Sequence, residues 1–191
     1  MNIKSHEILD AKGLACPMPI VKTKKAMANL NEGQVIEVQA TDKGSTADLK
    51  AWAESTGHQY LGTVEEEEVL MHYVRKASEA ETKGETKHEV ITDLEDLRNK
   101  VDGDEDLSII DVREQAEFAF GHIPGAINIP LGEIEERFQE LNQDDELHVI
   151  CRTGSRSDLA AQKLSEKGFK HVKNVIPGMS TWEGSMEQSK K

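Results

Sequence analysis

The segment LHVICRTGSRS, residues 147–157, decides the fold of the C-terminal half of this 191-residue chain. Its opening run, LHVI, is apolar except for one histidine and predicts a short buried strand. A tight polar loop follows, and residues 157–167 then show an amphipathic helical pattern. Cys151 therefore stands between a strand and a helix, at the carboxyl end of the strand, where open α/β sheets place their ligand sites.

The loop after Cys151 is suited to an anion. A tight turn into a helix N-terminus points backbone N–H groups inward, and a glycine allows the dihedrals that such a cradle requires. Comparable sites, with nearby arginines, lower a cysteine pKa from about 8.5 to roughly 3.5–7.5. The sequence thus predicts a nucleophilic Cys151, not a buried structural cysteine, and a substrate-binding loop formed by Arg152, Thr153, Gly154, Ser155 and Arg156.

Short apolar runs and amphipathic stretches alternate through the rest of this half. Continuous apolar strands separated by helices predict an α/β domain with a central parallel sheet covered on both faces. We expect a terminal helix that carries Trp182. The predicted strands span residues 107–112, 147–151 and 172–176, and the predicted helices span residues 134–141 and 157–167.

The N-terminal half predicts a strand, a helix, a strand, a helix and a closing hairpin. This βαβαββ order indicates a two-layer α/β sandwich with a small core. Ser45 and Asp48, three residues apart at the start of the second helix, resemble a capping box. The predicted elements span residues 7–9, 17–30, 36–40, 45–56, 58–64 and 69–75.

Between the two halves lies a segment without any large apolar residue, residues 77–87. Such a segment cannot bury enough surface to offset its ordering entropy, so it predicts a linker. The expected organisation is a first domain over residues 1–76, a linker over 77–87 and a second domain over 88–191.

The other cysteine, Cys16, immediately precedes the first predicted helix, and Pro17 suits the first helical position. A thiol at that end of a helix faces the positive pole of the dipole, which predicts an exposed cysteine with a modestly lowered pKa. No general base or metal partner is obvious nearby. These features favour a carrier thiol over a hydrolase.

Composition narrows the possible partners. The net charge of −13 repels nucleic acid backbones and anionic membranes. No apolar run is long enough to cross a bilayer and no leader precedes the first domain, so we expect a cytoplasmic protein. Two cysteines without a Cys-x-x-Cys pair predict neither a disulfide framework nor a metal site, and no cofactor is expected.

The segment CRTGSRS, residues 151–157, resembles the active-site loop of rhodanese-family sulfurtransferases. Residues 111–114, 117–118 and 121–130 resemble the upstream motifs of that family, and Gly178 and Trp182 its C-terminal motif, so the similarity covers about residues 88–186. The resemblance implies a persulfide on Cys151.

The length of the loop and a pair of charged residues upstream of it also bear on the chemistry of Cys151. Four residues separate Cys151 from Arg156, whereas tyrosine-phosphatase loops have five, so the shorter loop favours a sulfur atom over a phosphate. Asp111 and Arg113, two residues apart after a buried strand, are expected to pair and support the loop.

The Cys-Pro-x-Pro sequence that begins at Cys16 resembles TusA-type sulfur carriers, and residues 40–42, Trp52 and residues 57–58 resemble the later signature of that family. The similarity covers about residues 7–76. It implies that Cys16 carries a persulfide and that Asp42 lies near it. Asp before Lys-Gly is also ordinary turn chemistry, so a structural role for Asp42 stays open.

Together these features predict a sulfurtransferase in which Cys151 takes sulfur from a small sulfane-sulfur donor or a persulfidated protein and exchanges it with Cys16. A thiol protein would be the final acceptor. The direction of transfer, relay within or between chains, and the oligomeric state are left open. The alternatives are a persulfide or redox sensor without turnover and, third, a phosphatase.

Overall fold

The computed structural model of the chain describes residues 3–78, 81, 87–103, 105 and 107–189. The chain divides into two compact units, with the division between Ser78 and Glu79. Within the predicted linker, residues 79–80 and 82–86 lie outside the described residues. Each unit has a hydrophobic core of its own.

The first unit has the predicted βαβαββ order, so that prediction is confirmed. Its four strands form one sheet in the order β1-β2-β4-β3, in which β1 runs parallel to β2 and the other neighbours are antiparallel. The elements are β1 (Glu7–Asp10), α1 (Met18–Asn29), β2 (Val35–Ala40), α2 (Ser45–Ser55), β3 (Gln59–Glu66) and β4 (Val69–Arg75).

Both helices pack on one face of this sheet. Because side chains alternate along a strand, Ile36 and Val38 of β2 point to the same face. They are fully buried there together with Val74 of β4, Met27 of α1 and Leu49 of α2. These side chains form the centre of a two-layer core, and Glu37, which points to the other face of β2, is buried as well.

A polar cluster lies inside this unit. His72 on β4 is fully buried, and its Nε2 lies 2.9 Å from the hydroxyl of Ser45. Its Nδ1 lies 2.9 Å from the hydroxyls of Tyr60 and Thr63. Burial lowers the pKa of His72 to about 4, so the ring is neutral at pH 7.

The predicted capping box at Ser45 is wrong. The N-cap of α2 is Gly44, which has no side chain, and Ser45 is already the first helical residue. The Ser45 hydroxyl instead donates to the carbonyl of Asp42 at 2.5 Å. Asp48 is therefore free of any capping role.

The second unit contains five parallel strands in the order β5-β9-β8-β6-β7, which confirms the predicted parallel sheet. Single 3₁₀ turns occur at Leu131–Glu133, Phe138–Glu140 and Met179–Thr181. The other elements are β5 (Ile91–Asp93), α3 (Leu94–Asp102), β6 (Ser108–Asp111), α4 (Gln115–Phe120), β7 (Ile127–Asn128), α5 (Ile134–Arg137), β8 (Leu147–Ile150), α6 (Ser155–Glu166) and β9 (Val172–Ile176).

Buried side chains lie on both faces of this sheet. Val149 of β8 joins Leu164 of α6 in one core cluster, whereas its neighbour Ile150 joins Leu97 of α3 in a second cluster. The alternation of Val149 and Ile150 places the two clusters on opposite faces. The prediction of a sheet covered on both faces is therefore confirmed.

Two helix predictions in this unit differ from the structure. Residues 134–141 form a four-residue α5 followed by a 3₁₀ turn. The terminal helix expected to carry Trp182 is a single 3₁₀ turn, Met179–Thr181. Its first two N–H groups donate to the carbonyls of Cys151 and Arg152, which fixes the turn against the loop.

Among the described residues, no helix combines the length and the hydropathy required to cross a bilayer.

The burial of His72 predicts a pH-dependent stability. Its pKa is about 4 in the folded chain and 6.5 when unfolded, so protonation favours the unfolded state. This contribution is complete above pH 6.5 and is lost as the pH falls towards 4. We expect the first unit to lose about 1–2 kcal/mol of unfolding free energy between pH 7 and pH 5.

Urea unfolding of a Trp182→Phe chain checks this, because Trp52 then reports on the first unit alone. The matched control is His72→Gln, whose side chain cannot titrate. This variant should lose less unfolding free energy between pH 7 and pH 5. The loss that remains comes from His6 and His58, whose pKa values burial also lowers. Identical pH dependence in the two proteins would show that His72 is not buried as a neutral ring.

Candidate active site

Cys151 lies at the end of β8, and its side chain is fully buried beside Val112, Ile129 and Val149. Two polar groups of the loop and of α6 lie within hydrogen-bond distance of its sulfur. The N–H of Gly154 donates to Sγ at 3.1 Å, and the hydroxyl of Ser157 lies 3.3 Å from Sγ. The thiol thus has an apolar floor and a polar side formed by the loop and by the first turn of α6.

The loop keeps its shape through Gly154. This residue is the N-cap of α6 and has a φ of +97°, a region that favours glycine. A Cβ at this position would also lie 2.8 Å from Cγ2 of Ile176. Both constraints hold the N–H of Gly154 towards the sulfur.

Arg156 is buried in the first turn of α6, and both terminal nitrogens of its guanidinium donate to the carboxylate of Glu117 on α4. The two Arg156–Glu117 hydrogen bonds measure 2.7 and 2.9 Å. Glu81 lies 3.7 Å from the guanidinium Nε, and its side chain is buried too. Burial alone would lower the pKa of Arg156, but the charge and hydrogen bonds of Glu117, with smaller effects of Cys151 and Glu81, raise it.

The sequence placed Arg156 in the substrate-binding set, but its hydrogen bonds go to Glu117. Arg156 is thereby engaged within the protein, while its charge still acts on Cys151. Arg152 is half-buried and forms no ion pair with any residue that the structure describes. Thr153 is exposed, and its hydroxyl lies 3.3 Å from that of the half-buried Ser155. The charge of Arg152 is therefore not compensated by any carboxylate that the structure describes.

The turn after β9 closes the site from the other side. The N–H groups of Met179 and Ser180 donate to the carbonyls of Cys151 and Arg152 at 2.8 and 2.9 Å. Gly178 makes this approach possible, because a Cβ there would lie 2.5 Å from the Cys151 oxygen, and its φ is +109°. The C-terminal glycine recognised in the sequence is thus a direct support of the loop.

Asp111 and Arg113 form the ion pair expected from the sequence. Nε and Nη2 of Arg113 donate to the Asp111 carboxylate at 2.6–3.0 Å, and both side chains are buried. Arg113 Nη2 also donates to the carbonyl of Gly121. The pair fixes the connection between β6 and α4, the helix that carries Glu117.

Cys16 is exposed and lies just before α1, whose N-cap is Pro17. The predicted lowering of its pKa is wrong. A hydrogen bond to the carboxylate of Asp48, together with desolvation and the negative charges of Asp48 and Asp42, raises the pKa of Cys16. The carboxylates of α2 and its preceding turn outweigh the dipole of α1.

Asp42 lies near Cys16, as the resemblance implied, and it also builds the turn before α2. Its carboxylate accepts the N–H of Gly44 at 3.2 Å, and its carbonyl accepts the N–H of Ser45. The carboxylates of Asp48 and Asp42 therefore both favour the neutral thiol of Cys16 over its thiolate.

Comparison with known proteins supports both halves of this description. Residues 7–76 match the family model "Sulfurtransferase TusA", and residues 93–185 match "Rhodanese-like domain". The "Putative sulfur carrier protein YrkF" of Bacillus subtilis is 55% identical over 185 residues, which cover 97% of this chain and 100% of that protein. The chain belongs to this family of sulfur carriers.

Each domain has relatives of its own. The TusA domain is 55% identical over 74 residues to the "Putative sulfur carrier protein YrkI" of Bacillus subtilis, covering 39% of this chain and 99% of that protein. The rhodanese-like domain is similar to a solved rhodanese-like domain protein from Staphylococcus aureus. That match has a TM-score of 0.50 and 28% identity and covers 53% of this chain and 99% of that chain.

The buried ion pair of the rhodanese-like domain predicts a large effect of breaking it. Glu117→Leu leaves the Arg156 charge buried without its main partner, which should cost about 3–5 kcal/mol of unfolding free energy. The double variant Glu117→Leu/Arg156→Met should recover most of this loss. Urea unfolding of Trp52→Phe chains, in which Trp182 is the reporter, measures both.

The exposed pair of Arg98 and Asp102, 3.7 Å apart, is the matched control. Asp102→Asn should change the unfolding free energy by less than about 0.5 kcal/mol. If the double variant has the same unfolding free energy as Glu117→Leu, the loss of stability does not come from the uncompensated charge of Arg156.

The close approach of Gly178 predicts a second effect. Gly178→Ala should lower thermal stability and sharply reduce sulfur loading of Cys151, because the new methyl group displaces the loop carbonyls. Gly132→Ala is the control, since a Cβ there meets no atom within 4 Å. Calorimetry and mass analysis measure the two effects, and equal behaviour of the two variants would refute the proposed support.

Proposed function

We propose that the chain is a sulfurtransferase in which Cys151 forms a persulfide from a sulfane-sulfur donor and exchanges that sulfur with Cys16. The observation that carries the proposal is the surroundings of the Cys151 sulfur. An N–H group and a hydroxyl lie within hydrogen-bond distance of Sγ, and the charge of the buried Arg156 acts on it. Such surroundings favour an anionic sulfur.

In the first step the Cys151 thiolate attacks the sulfane sulfur of the donor. A sulfur–sulfur bond forms at Cys151 while the donor's own sulfur–sulfur bond breaks. The leaving group is sulfite when the donor is thiosulfate, and a thiolate when it is a low-molecular-weight or protein persulfide. No external oxidant or reductant is needed, because one sulfur–sulfur bond replaces another.

In the second step Cys16 attacks the terminal sulfur of the Cys151 persulfide, and Cys151 leaves as a thiolate. Cys16 first loses its proton, and Asp48 is the group placed to take it. The exposure of Cys16 then suits delivery to the thiol of an acceptor protein. The reverse direction uses the same bonds in the opposite order.

The burial of Cys151 adds a requirement. A donor reaches Sγ only when the loop of residues 152–155 opens or the cysteine side chain turns outward, since the residue has no exposed surface. Arg152 is the cation that attracts an anionic donor to the loop. We place this exchange in the cytoplasm, where reducing conditions keep both thiols free.

A second function is favoured by the same burial. The burial of Cys151 limits the access of an acceptor to a persulfide formed there, which favours a persulfide or redox sensor that changes state without turnover. The sensor predicts a stable modification after one addition of donor, whereas the sulfurtransferase predicts repeated release.

Sulfur loading distinguishes these functions. Wild type, Cys16→Ser and Cys151→Ser are each incubated with thiosulfate and with glutathione persulfide, and peptide mass spectrometry locates the added sulfur. We expect one sulfur on Cys151 in wild type and Cys16→Ser, and loading of Cys16 that is lost in Cys151→Ser. Cyanide should then release thiocyanate over many cycles.

The control is the double variant Cys16→Ser/Cys151→Ser, which should gain no sulfur. Loading without cyanide-dependent turnover would favour the sensor. The absence of any added sulfur on Cys151 with either donor would contradict the proposed function.

A further inference from the structure

The Ser157 hydroxyl has two acceptors within reach but a single hydrogen. Its oxygen lies 3.3 Å from Sγ of Cys151 and 3.1 Å from the carbonyl oxygen of Gly154. A hydroxyl donates one hydrogen bond, so it can satisfy either the sulfur or the carbonyl. The direction of this hydrogen decides whether the buried sulfur has one donor or two.

The Gly154 carbonyl receives two other donors. The N–H of Asp158 donates to it at 3.1 Å, and Nδ2 of Asn174 donates to it at 3.2 Å. A carbonyl oxygen has two lone pairs, and these two donors occupy both. The hydrogen of Ser157 is therefore directed to the sulfur of Cys151.

Among the described residues, the side-chain amide of Asn174 hydrogen-bonds only to the Gly154 carbonyl. It lies in the middle of β9, it is fully buried, and its Oδ1 has no hydrogen-bond partner among the described residues. Its orientation is fixed, because the Gly154 carbonyl can only accept and must face the amide nitrogen. A buried unsatisfied oxygen is costly, which indicates that the nitrogen of this side chain has a role.

We propose that Ser157 donates its hydroxyl hydrogen to the sulfur of Cys151 and that Asn174 is the positioning residue that sets this direction by occupying the Gly154 carbonyl. Among the described residues, the Asn174 side chain hydrogen-bonds to the Gly154 carbonyl and not to the sulfur, so it acts through Ser157. This inference rests on the proposed function for its role in catalysis, but the hydrogen-bond arrangement itself can be tested without any sulfur donor.

The test follows thiolate formation at Cys151 by absorbance near 240 nm as the pH is raised, in chains that carry Cys16→Ser. Subtraction of the matching Cys151→Ser protein isolates the signal of this one thiol. Ser157→Ala removes a donor to the anion, so the midpoint of the curve should move up by about one pH unit. Asn174→Ala should move it in the same direction, because the freed carbonyl captures the Ser157 hydrogen.

The double variant gives the decisive comparison. Since Asn174 acts through Ser157, Ser157→Ala/Asn174→Ala should show the same midpoint as Ser157→Ala alone. Asn174→Leu fills the space of the amide without providing a donor, so its midpoint should equal that of Asn174→Ala. This variant also serves as the test if the cavity left by alanine unfolds the protein. Thermal unfolding checks that every variant is folded.

An unchanged midpoint in Ser157→Ala would overturn the assignment of the hydrogen to the sulfur. Additive shifts in the double variant would overturn the indirect action of Asn174. A wild type that gains no persulfide from any donor would refute the proposed function, whereas the titration would still decide the hydrogen-bond arrangement.

Discussion

The burial of a sulfur atom that has to become negatively charged is the constraint on which the rhodanese-like unit depends. An anion in an apolar core is strongly disfavoured unless hydrogen-bond donors and a positive charge compensate it. Gly154 and Ser157 provide the donors, and Arg156 provides the charge. Arg156 is itself buried and requires Glu117, so the site extends from the loop to α4.

The remaining contacts keep this arrangement closed. The turn after β9 donates two N–H groups to the loop carbonyls, and Gly178 permits the approach. Asp111 and Arg113 fix the connection that leads into α4. Cys16 lies in the opposite environment, exposed and beside carboxylates that keep its thiol protonated. One thiol is thus arranged to stabilise an anionic sulfur, and the other to meet a partner.

The fold followed from the sequence because alternation and apolar runs directly reflect which face of a strand is buried. The position of Cys151 at the end of a strand, and the requirement for a glycine at position 154, could likewise be predicted from neighbouring residues. Glu117 could not be assigned to Arg156 in this way, because the two residues are 39 positions apart in the chain. The same holds for Asn174, which no local pattern connects to the loop. The predicted lowering of the Cys16 pKa is wrong because the carboxylate of Asp48, on another helix, raises that pKa.

The proposed function depends on the passage of sulfur between the two thiols, with Cys151 loaded first. Rapid-quench mass spectrometry of the wild-type chain can follow this transfer, with ³⁴S-labelled glutathione persulfide as the donor and peptide analysis at each time point. We expect the label to appear first on Cys151 and then to decline there as it rises on Cys16. Label that reaches Cys16 equally fast in Cys151→Ser as in wild type would contradict it.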